Sequence, residues 1–117
     1  MRVSIAVVTF LIASLAAGSA QAHAFLDHAT PAVGSTVAAA PQEISLSFTQ
    51  NLEPSFSTVE VTGPNGARSD AGRAQVSGST MRVALKPAGP GTYRVHWHAL
   101  SVDTHATQGS FTFHVGP

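Results

Sequence analysis

The chain has 117 residues, of which 44% are hydrophobic and only 10% are charged, and its six basic and six acidic side chains give a formal net charge of zero. This length predicts one small domain, and the lack of excess positive charge argues against a nucleic-acid partner. The chain contains no cysteine, which excludes zinc-finger, iron–sulfur and blue-copper sites and leaves no disulfide to supplement the core.

Residues 1–22 have the pattern of a cleaved signal peptide. Arg2 precedes an apolar run over residues 3–17, and Ala20-Gln21-Ala22 is a small-x-small cleavage signal. The apolar run is short for a membrane span, and no stop-transfer pattern follows it. We therefore expect cleavage after Ala22, a mature domain over residues 23–117 that begins with His23, and, in a bacterium, a periplasmic location.

The mature part shows strand periodicity and no helical periodicity. Residues 32–41 are predicted to be a loop, and the alternation of polar and apolar residues is weak over 68–79. Elsewhere the alternation predicts short strands, which in chain order cover residues 23–28 (an edge strand), 43–48, 56–62, 80–85, 92–99 and 109–115.

Short strands separated by turn signals about every ten residues are typical of an all-β, immunoglobulin-like Greek-key sandwich of about seven strands. A compact β-barrel is the alternative. Trp97 and the phenylalanines are predicted to be core residues rather than a surface for stacking a cofactor. Met81 falls on the inward face of its strand and is also predicted to fill the core.

The connection over residues 100–108 carries the side chains most suited to chemistry, Asp103 and His105. In extended backbone, side chains two positions apart point to the same side. The carboxylate and the imidazole can therefore converge on one metal ion. The competing interpretation is that Asp103 is a turn residue, favoured there by its local hydrogen bonds.

His23 gains a second ligand if cleavage makes it the first residue. A free α-amine titrates near about 8 and an imidazole near about 6.5, so both can bind a divalent metal at neutral pH. With Asp103 and His105 they would supply three nitrogens and one oxygen, which suits tetragonal copper(II). Zinc stays open as a second metal, and so does a frayed terminus that binds no metal.

Several segments follow one another over nearly all of the mature chain. Besides the histidine that follows the cleavage signal, they are Thr30-Pro31-Ala32-x-Gly34, Phe48-Thr49-Gln50-Asn51-Leu52 with Phe56-Ser57, Gly91-Thr92-Tyr93-Arg94-Val95-x-Trp97, and Ser101-Val102-Asp103-Thr104-His105 leading into Gly109-Ser110-Phe111-Thr112-Phe113. Together and in this order they resemble the CopC family of periplasmic copper-binding proteins.

The resemblance implies a copper(II) site formed by the amine and ring of His23, by Asp103 and by His105. It also implies a role in copper homeostasis or resistance, with a CopD-like membrane copper transporter as partner. Some members carry a glutamate at the position of Gln50, so an acidic contribution is lost here. Members that bind copper(I) use a methionine-rich loop, and this mature chain has only Met81. We therefore expect copper(II) binding alone.

The remaining histidines raise two further questions. An even-sum hairpin register would place His114 across from His96, beside His98, as a second and weaker metal site. The plainer interpretation, favoured because no carboxylate accompanies them, is that all three are polar surface residues. His28 lies five residues from His23 and is a candidate neighbour of the first site, but strand parity puts it on the opposite face.

Two other functions compete with a copper carrier. A copper-dependent monooxygenase-like enzyme also holds its metal with a terminal histidine chelate, but it keeps a coordination position open for oxygen, which Asp103 would fill here. A metal-free structural β-sandwich is the other alternative. We expect a binding protein rather than an enzyme, and a monomer.

Overall fold

The computed structural model describes residues 25–117, and in that part the chain forms eight strands and one short 3-10 helix. No helix there is long and apolar enough to cross a membrane. The strands are β1 Leu26–Thr30, β2 Thr36–Val37, β3 Glu43–Phe48, β4 Thr58–Thr62, β5 Asp70–Ser77, β6 Thr80–Leu85, β7 Gly91–Leu100 and β8 Ala106–Val115, and the 3-10 helix is Pro54–Phe56.

The strands form two four-stranded sheets, one with the order β1-β3-β6-β5 and the other with the order β2-β8-β7-β4. All pairs are antiparallel except the short parallel pair of β2 with β8. Two separate sheets that enclose one core make a sandwich rather than a closed barrel. The predicted all-β Greek-key sandwich is confirmed.

The core lies between the inward faces of the two sheets, as the sequence periodicity predicts. Trp97 of β7 packs edge-on against Phe48 of β3, with ring centroids 5.0 Å apart. Gly109, the cross-strand partner of Trp97, makes room for the indole, since a Cβ there would lie 2.6 Å from Trp97 Cζ2. Met81 is fully buried in this core, as predicted. The prediction that the phenylalanines are core residues is wrong for Phe25 and Phe56, which lie outside the strands and are exposed.

Tyr93 fixes the start of β7. Its ring stacks on Phe113 at a centroid distance of 5.1 Å. Its hydroxyl donates to the carbonyl oxygen of Gly89 (2.7 Å) and accepts from the N–H of Ala88 (3.1 Å). A buried phenol whose hydrogen bonds return to upstream backbone is similar to the tyrosine corner of immunoglobulin-like sandwiches. The turn before β7 is therefore tied to the core.

Two strands were missing from the sequence prediction. β2 lies within the predicted loop over 32–41 and is only two residues long, so it has too few side chains to show a pattern. β5 is an edge strand in which no residue is buried, and its pairing with β6 is interrupted between Ala71 and Gln75, where Gly72 has φ 81°. An exposed, bulged strand shows little alternation, because burial creates the alternation.

The bounds of four predicted strands also change, and one of them, β7, is one residue longer at each end than predicted. β1 is an edge strand, as expected, but it extends to Thr30, and residues 23 and 24 lie outside the described part. β4 begins at Thr58, because the segment before it turns as a 3-10 helix that starts at Pro54. β8 begins at Ala106, so the connection after β7 covers residues 101–105 rather than 100–108.

Candidate metal centre

The connection between β7 and β8 is a tight turn. The Thr104 N–H donates to the Ser101 carbonyl (2.9 Å), and the Ser101 N–H donates to the His105 carbonyl (3.0 Å). Thr104 has φ 70°, in the left-handed region that a β-branched residue rarely adopts. The prediction of extended backbone between Asp103 and His105 is therefore wrong.

The Asp103 and His105 side chains nevertheless meet at this turn. His105 Nδ1 lies 3.3 Å from Asp103 Oδ1, and the two side chains are half exposed, at 50% and 48% respectively. Metal–ligand bonds of about 2.0–2.2 Å place neighbouring donors at right angles about 3 Å apart. The pair therefore has the spacing of two adjacent ligands and is open to solvent.

Ser101 holds the Asp103 side chain and the His105 backbone in place, a role that sequence reasoning missed. It is fully buried. Its hydroxyl donates to the Asp103 carboxylate and accepts from the His105 N–H at 3.2 Å. The Ser101 hydrogen bond, helped by nearby His105, lowers the pKa of Asp103 below its ordinary value. The sequence signal was a serine two residues before Asp103.

Backbone hydrogen bonds connect this turn to the segment that follows β3. The Val102 N–H donates to the Asn51 carbonyl (3.0 Å), and Leu52 forms a β-bridge with Ser101. Two residues before Asn51, the Thr49 N–H donates to the Phe25 carbonyl, and the Phe25 N–H donates to Thr49 Oγ1, both at 2.9 Å. The first described residue, Phe25, therefore lies at the same end of the sandwich as the turn.

His23 lies outside the described residues. Among residues 25–117, no group of three or more histidine, aspartate and glutamate side chains is arranged to hold a metal ion. The pair of Asp103 and His105 thus supplies two donors, with no third histidine, aspartate or glutamate beside it in the described residues. Gln50 lies in the connecting segment, between the residues bonded to Phe25 and to Val102.

His28 is exposed on β1, and its Nδ1 is 3.2 Å from the Asp27 carboxylate. The pairing of β1 with β3 shifts between Leu26 and His28. Simple strand parity, which put His28 on the face opposite His23, does not hold across such a shift. His28 forms no metal-binding group with Asp103 and His105.

The predicted pairing of His96 with His114 is wrong. The short turn sets the register, in which Leu100 pairs with Ala106, so His96 pairs with Ser110 and His114 pairs with Thr92. His98 is the near neighbour of His96, with ring centroids 4.8 Å apart. The three histidines share the outward face of one sheet without meeting at one point.

The chain is similar to known proteins along nearly its whole length. Residues 26–116 match the family model of the CopC domain. Protein YobA of Escherichia coli K12 is 38% identical, over 98% of this chain and 94% of that protein. Copper resistance protein C of Pseudomonas syringae pv. tomato is 41% identical, over 93% of each.

A solved structure supports the same relationship. The crystal structure of PcoC, a methionine-rich copper resistance protein from Escherichia coli, matches with a TM-score of 0.70 and 35% identity, over 81% of this chain and all of that one. Beyond Met1, this chain has one methionine, the buried Met81. The expectation of a copper-binding, copper-resistance protein is confirmed, and the chain belongs to the CopC family.

Proposed function

We propose that the mature protein binds one copper(II) ion through the α-amine and imidazole of His23, the carboxylate of Asp103 and the imidazole of His105. The observation that carries this proposal is the hydrogen bonding of Phe25 to Thr49, at the end of the sandwich that holds the Asp103–His105 pair. His23 is two residues before Phe25, and two extended residues span about 7 Å. A processed terminus can therefore reach the pair.

The donor set favours copper(II). Three nitrogens and one oxygen suit a tetragonal centre, and copper(II) binds such ligands more tightly than the other divalent first-row metals. The Asp103 carboxyl is ionised at neutral pH, since the Ser101 hydrogen bond lowers a pKa that is already acidic, and the carboxylate is the form that binds a cation. The only methionine of the mature chain is buried, so a thioether site for copper(I) is not expected. Zinc is the main competing ion.

Signal-peptide cleavage would create the chelating terminus, which couples export to copper loading. We infer that the protein is periplasmic, is cut after Ala22 and sequesters copper(II) there. Four protein donors would fill the coordination plane, so we expect a binding protein and no oxygenase activity. Oxygen consumption by the copper-loaded protein with a reductant tests that expectation, and turnover above that of free copper would contradict it.

The decisive experiment compares the protein that begins at His23 with one that carries an additional alanine before it. Only the first has a terminal amine and imidazole on the same residue. We expect tight 1:1 copper(II) binding with a three-nitrogen, one-oxygen electron paramagnetic resonance signal, and loss of that signal in the extended protein. Equal binding by both proteins would rule out the terminal chelate.

We further propose that the monomeric protein passes copper to a CopD-like membrane transporter. The half-exposed side chains of His105 and Asp103 allow an incoming ligand to replace them one at a time. Analytical ultracentrifugation with and without copper tests the monomer. Copper transfer to transporter in vesicles, compared with release into buffer, tests delivery: transfer no faster than release would contradict it.

A further inference from the structure

A pair of histidines on the side of the sandwich is separate from the proposed centre. His96 and His98 are two residues apart on β7 and point away from the core, with ring centroids 4.8 Å apart and ring planes at 82°. Their neighbours on that strand, Val95, Trp97 and Ala99, are buried. The core therefore holds the strand rigidly while the two imidazoles face solvent.

One of the two rings is already oriented by a hydrogen bond. His96 Nδ1 lies 2.7 Å from Ser110 Oγ, on the neighbouring strand β8. When a histidine binds a metal through one ring nitrogen, a hydrogen bond at the other nitrogen fixes the ring and its tautomer. Ser110 can provide that support for His96, because it leaves Nε2 available for a metal.

The second ring can adjust. His98 is exposed and its cross-strand partners are Thr58 on β4 and Gln108 on β8. The edge-to-face arrangement of the rings must change for both to bind one ion. Rotation of the exposed His98 ring achieves this without moving a core residue. Glu60, across from His96, is 3.3 Å from Arg68, which competes with a metal for its carboxylate.

We propose that His96 and His98 form a second copper(II) site, with two imidazole ligands from the protein and solvent in the remaining positions. Imidazole is a good copper(II) ligand, and copper(II) is the strongest binder in the divalent series. No third histidine, aspartate or glutamate in residues 25–117 completes the set, so this site binds copper more weakly than a four-donor centre. The proposal does not depend on the terminal chelate, which uses neither histidine.

His114 provides a matched control on the same face of the same sheet. It is exposed, and its Nδ1 is hydrogen bonded to a hydroxyl, Thr92 Oγ1, at 2.9 Å. It pairs with Thr92, four residues from His96 on β7, which is about 13 Å along a strand. His114→Gln therefore removes an imidazole that, like His96, is hydrogen bonded to a cross-strand hydroxyl but is too far away to share the ion.

The test is a copper(II) titration beyond one equivalent, followed by electron paramagnetic resonance, on the processed protein and its variants. We expect a second binding event with a two-nitrogen signal. His98→Gln and His96→Gln should each weaken that event at least about tenfold, equivalent to about 1.4 kcal/mol, and leave the first unchanged. His114→Gln should change neither, and circular dichroism confirms that each variant is folded.

Three results would overturn the proposal. They are the absence of a second event in the unaltered protein, its persistence at full strength in His98→Gln, and its equal loss in His114→Gln. His105→Ala separates the two sites: the second event should survive when the first is lost. If His105→Ala leaves the first event intact, the proposed four-donor centre is wrong while the histidine pair on the sheet still stands.

Discussion

The β7–β8 hairpin has two parts that are stabilised in different ways. Its body is fixed by burial, with Trp97 and Tyr93 in the core. Its tip, residues 101–105, has Ser101 as its one buried residue, and Asp103 and His105 are held by hydrogen bonds to that serine. The hairpin body therefore contributes stability without placing a ligand, so a substitution there should lower stability and leave copper affinity unchanged, whereas a substitution in the tip should change copper affinity.

The largest expected effect on stability is in the hairpin body. In Gly109→Ala the new Cβ would lie 2.6 Å from Trp97 Cζ2, so the indole must move within a packed core. Overpacking of this kind costs about 2–3 kcal/mol. Urea unfolding should show that loss, while the folded protein still binds copper with unchanged stoichiometry and affinity.

Gly116→Ala is the control for that experiment. A Cβ there meets the Val37 carbonyl oxygen at 3.6 Å, an ordinary contact, so stability should hardly change. If Gly109→Ala is as stable as the unaltered protein, the inference that Trp97 packs tightly on Gly109 is wrong. If it loses copper affinity while it remains folded, the separation of body from tip is wrong.

Ser101→Ala tests the tip of the hairpin rather than its body. It removes the hydroxyl that contacts Asp103 and the His105 N–H. Loss of a buried hydrogen-bonding group costs about 1–3 kcal/mol, and loss of a residue that orients metal ligands lowers affinity about 10–100-fold. Isothermal titration with copper(II) measures the affinity, and urea unfolding measures the stability.

Ser57→Ala separates positioning from general destabilisation. Ser57 is also buried, and its Oγ accepts from the N–H of Leu100, at the end of β7, at 3.1 Å. We expect a similar loss of stability with little change in copper affinity. Equal losses of affinity in both variants would mean that Ser101 acts only through stability.

The same division explains what the sequence could predict. Alternation located β3 and β6 to the residue and placed Trp97, Met81 and the phenylalanines of the strands inside, because burial on one face of a strand leaves a period of two. The core prediction is wrong for Phe25 and Phe56, which lie outside the strands and are exposed. It missed β5, where no side chain is buried. It also predicted extended backbone for Asp103 and His105. The alternation of polar and apolar residues carries no information about a residue with positive φ, such as Thr104. The meeting of these side chains depends on turn hydrogen bonds.

The hairpin register was missed for a related reason. Pairing His96 with His114 satisfied strand parity, as does the observed pairing with Ser110. Parity fixes which face a residue occupies and leaves the length of the turn undetermined. His23 is a further case: its proposed role as a ligand was inferred from the cleavage signal and the family resemblance, neither of which is a fold pattern.

Acid should weaken the ion pair of Asp70 with Arg68, which lies beside the β7–β8 hairpin. Asp70 accepts hydrogen bonds from the Val61 N–H (2.9 Å) and from Arg68 Nε and Nη2 (2.7 Å each). The Arg68 guanidinium holds the pKa of Asp70 below its ordinary value. A carboxyl with a lowered folded-state pKa stabilises the fold fully above its unfolded pKa of about 4, and this contribution is lost as the pH falls through the folded pKa.

Asp70→Asn should therefore cost about 1–2 kcal/mol at neutral pH, since Arg68 is largely exposed and screening weakens the pair. The stability difference between variant and parent should narrow below about pH 4. Urea unfolding at a series of pH values in copper-free buffer measures this difference in the free energy of unfolding. A difference that stays constant down to pH 2 would show that ionisation of Asp70 contributes nothing.

The smallest expected effect is a gain of stability at the tip. Thr104 has φ 70°, a conformation that costs a β-branched residue about 1 kcal/mol or more and glycine much less. Thr104→Gly removes that strain but adds freedom to the unfolded chain, so we expect a net gain of about 0.5 kcal/mol.

The glycine also loosens the backbone between Asp103 and His105. Copper affinity should then fall modestly while the free energy of unfolding rises. A core substitution such as Gly109→Ala should instead lower the free energy of unfolding and leave copper affinity unchanged. Thermal unfolding without copper and a copper(II) titration measure the two changes. A parallel rise of both would mean that the left-handed threonine does not help to position the ligands.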